Sequence, residues 1–97
     1  MSDLDEPLVA AQAAAKALRD RPDNETLLEL YSYFKQASEG DVAGGRPGAF
    51  DFVARATYDA WAARKGMKKD IAKRGYVKLV EHLQSLEAWR PAGASRA

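Results

Sequence analysis

The apolar residues of this chain recur every three or four positions in four separate stretches, and nowhere do they alternate. A helix, turning about 100° per residue, gathers such positions onto one side; a strand needs every second residue. Leu8, Ala11, Ala15 and Leu18 form the first stripe, and Leu27, Leu30, Phe34 and Ala37 the second. Phe52, Ala56, Ala60 and Ala63 form a narrow third, with Tyr58 and Trp61 on another side of the same stretch. The fourth is Ala72, Tyr76, Leu79, Leu83 and Leu86. Chain breakers fall between them. Arg19-Asp20-Arg21-Pro22 ends the first helix, Gly40 the second and Gly66 the third. Caps mark the starts: Ser2 to Asp5 is spaced like a capping box, with Pro7 in the first turn, and Asp23 and Asp51 are candidate N-caps. The spacing predicts helices over about 5–18, 24–38, 52–64 and 69–86. Gly75, inside the fourth, costs ~1 kcal/mol against alanine and so predicts a close neighbour.

Each helix has one apolar side to bury, so an all-α four-helix bundle in a single domain follows. The domain is expected over 1–88, with 89–97 as a disordered tail. There is no internal repeat, and periodicity leaves the packing order of the helices open.

Fifteen Lys and Arg against 14 Asp and Glu leave a net charge of +1. A general polyanion-binding surface needs a strong basic excess, so no nucleic-acid partner is expected, while a local cluster for a small anion remains allowed. The absence of cysteine excludes disulfides, thiolate nucleophiles and thiolate metal sites. No run approaches the ~20 apolar residues that span a membrane. The acidic start MSDLDEPL lacks a secretory charge and core pattern, so a cytoplasmic monomer without membrane insertion is the expectation.

Catalysis finds little support. His82 is the single histidine, at the edge of the fourth stripe, and no histidine–carboxylate cluster has metal spacing. No serine sits in a nucleophile-elbow context. The glycine-rich loop Gly44-Gly45-Arg46-Pro47-Gly48 lacks both the Gly-Lys-Ser/Thr ending and the preceding strand of a phosphate loop, and is read as a long connection between helices that are not antiparallel neighbours. The expectation is a protein that is not an enzyme and carries no cofactor or metal.

The second helix is richer. Tyr31-Ser32-Tyr33-Phe34-Lys35-Gln36-Ala37 packs three aromatics, a lysine and an amide into two turns. Tyr31 and Lys35, four apart, are surface neighbours at the edge of the apolar stripe, offering an aromatic face, a phenol hydroxyl and a cation together. The wording is more specific than the spacing. Pro22-x-x-Glu25-x-Leu27-x-x-Leu30-Tyr31-Ser32-x-Phe34-Lys35-Gln36-Ala37-Ser38-x-Gly40 resembles the signature of the acyl-CoA-binding protein family. Asp41, Arg46-Pro47-Gly48, Asp51-Phe52, Asp59-Ala60-Trp61, Lys65-Gly66 and Tyr76 also fall where that family's pattern expects them, so that the resemblance covers roughly residues 8 to 86.

The resemblance implies an up-down-down-up bundle, with the long loop crossing between helices two and three. It also implies a carrier that binds medium- to long-chain fatty acyl-CoA esters, forms an intracellular pool and serves acyl-CoA-using enzymes. By resemblance, Tyr31 and Lys35 hold the 3′-phosphate and adenine region, Tyr76 meets the same head group, and Lys16 approaches from helix one. Ser32, Tyr33 and Phe34 belong to the contacting segment, and position 57 is a ligand position. Alanine-rich sides of helices one and three suit an acyl groove, where each CH₂ removed from water contributes ~0.8 kcal/mol.

One departure stands out. The family usually has lysine at position 57, and often at 53, where this chain has Thr57 and Val53. Arg55 points roughly 160° away from Thr57, and Arg64 lies about 10 Å further along the axis. The helix-three half of the phosphate clamp is therefore expected to be neutral. Tyr58 stands where the family prefers tryptophan. The alternative reading is a non-catalytic helical module that grips a protein with its aromatic helix-two side. An accessory domain of a larger lipid-metabolising enzyme sits less well with a chain of this length.

Overall fold

The computed structural model describes the backbone of residues 3–89, and within it there are four helices and no strand. They are α1 (Asp5–Lys16), α2 (Asn24–Glu39), α3 (Phe52–Ala62) and α4 (Lys69–Trp89). Asp23 and Asp51 cap as expected, their Oδ1 atoms accepting from Thr26 N at 2.8 Å and Ala54 N at 3.2 Å. Gly40 closes α2 at φ +84°, a left-handed conformation that only glycine adopts without strain, and its N–H returns to the Gln36 carbonyl.

The capping box expected from Ser2 to Asp5 falls partly outside the described residues, which begin at position 3. The helix begins at Asp5 itself, Leu4 is its N-cap without a side-chain cap bond, and the Asp5 carboxylate accepts from Lys73 Nζ on α4 at 2.6 Å. Ser2 lies outside the described residues. α1 also stops at Lys16 rather than Leu18, its last turn tightening through bonds from Ala17 N to the Ala13 and Ala14 carbonyls. α3 stops at Ala62, two residues short of the expected end. α4 runs beyond Leu86 because Glu87 has work inside the fold: its carboxylate accepts from Asp20 N at 3.0 Å, and its carbonyl from Arg19 Nη2 at 3.0 Å. Position 89 is therefore helical backbone rather than tail, while 90–97 lie outside the described residues.

The side chains set the topology. Asp5 meets Lys73 at one end of α1 and Arg19 meets Glu87 beyond the other, so α1 and α4 run parallel. Tyr33 lies on Gly75 and Gln36 Nε2 reaches the Met67 carbonyl, so α2 and α4 run antiparallel. Tyr31 shares a groove with Thr57, and Lys35 covers Trp61, so α2 and α3 run parallel. This is the up-down-down-up order. Two parallel neighbours need a long return connection, which is the role of the loop over 41–51. Arg46 grips Asp59 with two bonds of 2.9 and 2.7 Å, and Tyr58 Oη donates to the Gly44 carbonyl at 2.9 Å. These contacts hold the loop on α3.

The core lies where α4 meets α1 and α2: Leu8, Ala11, Leu30, Ala37, Ala72, Tyr76 and Val80. Packing departs from the expected stripe at two places on α4. Val80 is buried with Ala72 and Tyr76, while Leu86 is half exposed. Gly75 confirms the close neighbour, since a Cβ there would stand 2.4 Å from Tyr33 Cε1.

Candidate functional site

An open groove of about 620 Å³ lies between the N-terminal halves of the parallel α2 and α3. Such a volume falls in the range of small-molecule pockets. Asn24, Leu27, Leu28 and Tyr31, spaced i, i+3, i+4 and i+7, form the α2 wall, and Phe52, Val53, Ala56 and Thr57 form the α3 wall. Arg21 stands at the α2 N-terminal end. Phe52 and Val53 line the groove while 76% and 77% exposed, so an apolar wall faces water.

Tyr31 and Thr57 are the two anticipated site residues that line this groove. Thr57 Oγ1 donates back to its own helix, to the Ala54 carbonyl at 2.9 Å and the Val53 carbonyl at 3.1 Å, so its proton is committed locally. Lys35, one turn beyond Tyr31, has its Nζ 4.8 Å from the centroid of the Trp61 ring and paired with the Glu39 carboxylate. That carboxylate holds the lysine above its ordinary pKa. Trp61 is fixed in turn, its Nε1 donating to the Gly40 carbonyl at 2.8 Å.

Phe34 projects on the other flank of Tyr31, and packs at 6.3 Å between ring centroids on Tyr76 from α4. Tyr76 is buried, and desolvation pushes its phenol up, so it stays a donor at neutral pH. Ser32 and Tyr33 face elsewhere. Ser32 Oγ donates to the Glu29 carbonyl at 2.7 Å and accepts from Arg64 Nε at 3.0 Å. The Tyr33 ring lies against Gly75, and the Arg64 guanidinium stands over it with its Cζ 4.0 Å from the centroid. Arg64, past the end of α3, is thus turned onto α2 instead of along the Val53–Thr57 direction. Lys16 is exposed at the end of α1, and α1 packs on α4.

On the α4 side of α1, Ala10, Ala11 and Ala14 line a separate groove with Val77 and Val80, and the groove beside Tyr31 takes its second wall from α3. The sequence reading missed Arg21, Asn24 and Leu28 as lining residues. The i, i+3, i+4, i+7 pattern from Asn24 to Tyr31 was the available signal. Among the described residues no group of histidine, cysteine or carboxylate side chains could hold a metal ion.

The family model described as acyl CoA binding protein matches residues 8–80. The chain belongs to the acyl-CoA-binding protein family. Acyl-CoA-binding protein homolog 1 of Caenorhabditis elegans is 45% identical over 73 residues, covering 75% of this chain and 85% of that protein. The crystal structure of Oryza sativa acyl-CoA-binding protein 2 superimposes with a TM-score of 0.84 at 37% identity, covering 91% of this chain and 99% of that one. Rat enoyl-CoA delta isomerase 2 is 44% identical over 75 residues, but the match spans only 19% of that enzyme. All four helices therefore follow an acyl-CoA-binding protein fold.

Proposed function

We propose that this chain binds medium- to long-chain fatty acyl-CoA esters and carries them, without catalysis, to the enzymes that use them. The observation that carries the reading is the groove between α2 and α3. Its middle is apolar at Leu27, Leu28, Phe52, Val53 and Ala56, with Arg21 and Asn24 at one end, Tyr31 and Thr57 at the other, and Lys35 one turn beyond Tyr31. An amphiphile with a long chain and an anionic aromatic head matches an apolar groove with an aromatic and a cation at its end. Each CH₂ laid against the exposed apolar wall contributes ~0.8 kcal/mol.

In this reading Tyr31 stacks on or donates to the nucleotide head, Lys35 supplies the cation, and Tyr76 donates from α4 behind Phe34. Thr57 offers the phosphate no charge and a hydroxyl whose proton is already committed. Ser32 and Tyr33 support the contacting segment by fixing α2, and Lys16 reaches the ligand only at its periphery. The carrier works as a cytoplasmic monomer and needs no cofactor. No helix among the described residues is long and apolar enough to cross a membrane.

Calorimetric titration with palmitoyl-CoA, dodecanoyl-CoA and free CoA tests this. A carrier binds the esters more tightly as the chain lengthens. Absence of binding to all three would leave the protein-interaction module as the better reading.

A further inference from the structure

Glu39 occupies a place that helix stability does not explain. It sits in the last turn of α2, where the helix dipole disfavours an acid, and that turn holds no basic residue. Its pair with Lys35 is an i, i+4 pair with the lysine N-terminal, the weaker of the two orientations. The Glu39 side chain is half exposed, so solvent screens the attraction further. Yet it takes up the ammonium of Lys35, the cation one turn from Tyr31 at the head end of the groove, while the Trp61 ring covers another side of the same group. With Val53 and Thr57 neutral and Arg64 committed to Ser32 and Tyr33, Lys35 is the cation that α2 itself offers an anionic head group at this end, while the Lys69 stem of α4 lies beside Gly40.

We infer that Glu39 is an internal competitor for Lys35, a positioning residue that sets how tightly the groove holds an anionic head group. The inference rests on the acyl-CoA reading of the same site. An incoming phosphate meets two penalties. The carboxylate must release the ammonium, and once released it remains one helical turn from the phosphate as a like charge. Both weaken the contact to the head and leave the acyl contacts untouched. The result is a carrier whose affinity depends on the chain more than on the nucleotide, and which releases its cargo readily. The exposed pair is also open to salt, so part of the penalty disappears as ionic strength rises.

A double-mutant cycle tests this with dodecanoyl-CoA as the probe. Glu39→Gln keeps the side-chain length and removes the charge, and at a helix C-terminus the change favours the helix. Titrate wild type, Glu39→Gln, Lys35→Ala and the double mutant at low and high salt, with Glu81→Gln on the α1–α4 groove as the charge control. Glu39→Gln should tighten binding about threefold to tenfold at low salt and less at high salt. The same substitution in the Lys35→Ala background should change binding less than twofold. Equal affinity of Glu39→Gln and wild type overturns the inference. So does an undiminished gain without Lys35, or the same gain from Glu81→Gln, either of which would make the effect one of net charge. A wild-type protein that fails to bind dodecanoyl-CoA sinks the carrier reading itself, whereas binding by wild type with no effect of Glu39→Gln sinks this inference alone.

Discussion

Replacing Gly75 with alanine should destabilise the protein, although alanine is the better helix former. The added Cβ would stand 2.4, 2.7 and 2.8 Å from Cε1, Cδ1 and Cζ of Tyr33, against the ~3.5–4.0 Å at which carbon atoms rest. The ring is not free to move. Arg64 stands over it at 4.0 Å and is itself tied to the buried Ser32 hydroxyl. Overpacking of this kind costs ~1–3 kcal/mol, and three ring atoms met at once argue for the upper half of that range. The helix regains ~1 kcal/mol from alanine. The net loss should be ~1–2 kcal/mol, a fall of about 1 M in the urea midpoint at the slope of a small domain. The sign should reverse in a Tyr33→Ala background, where the clash is gone and Gly75→Ala should stabilise by ~1 kcal/mol. Urea unfolding of the four proteins of this cycle reads both outcomes. A Gly75→Ala protein more stable than wild type, or a penalty that survives Tyr33→Ala, would refute the packing of α2 on α4 described above.

Lys35→Ala should weaken dodecanoyl-CoA binding by ~1.5 kcal/mol, the low end for a hydrogen bond to a charged group, because Glu39 already engages the ammonium; an unchanged dissociation constant in a folded mutant would remove Lys35 from the site. Thr57→Lys should tighten binding about threefold to tenfold, since the new ammonium can reach the head while its stem lies along Ala56 and Val53. Titration should show that gain shrinking with salt and vanishing for the 3′-dephospho ligand. Asp41 accepts from Gly66 N–H at 2.8 Å and from Gln36 Nε2 at 2.9 Å, which lowers its pKa from the ordinary 3.8. A carboxyl depressed by folding contributes stability that is present above 3.8 and is lost as pH falls through its lower folded value. Asp41→Asn should therefore flatten the acid limb of the urea midpoint against pH, and an unaltered limb would count against this lock between α2 and the α3–α4 turn.

The four helices were legible in the sequence because their causes are local. A stripe repeats every three or four residues, and Asp23, Asp51 and Gly40 act on backbone groups within a few positions of themselves. The likeness to a known family was legible for a related reason: the residues around Tyr31 and Lys35 lie within two turns of one helix. What required the tertiary structure was every fact that depends on how one helix is rotated and shifted against another. Periodicity says that α1 has an alanine side, but not that α4 covers it and α3 supplies the second wall of the groove. It says that Leu86 continues a stripe, but α4 turns Val80 inward and leaves Leu86 half exposed. Arg64 lay in the right direction on an ideal helix, yet α3 ends two residues earlier and the side chain folds onto Ser32 and Tyr33. Gly75 announced a close neighbour without naming it, because Tyr33 is 42 positions away in the chain and only the crossing of α2 over α4 brings the two together.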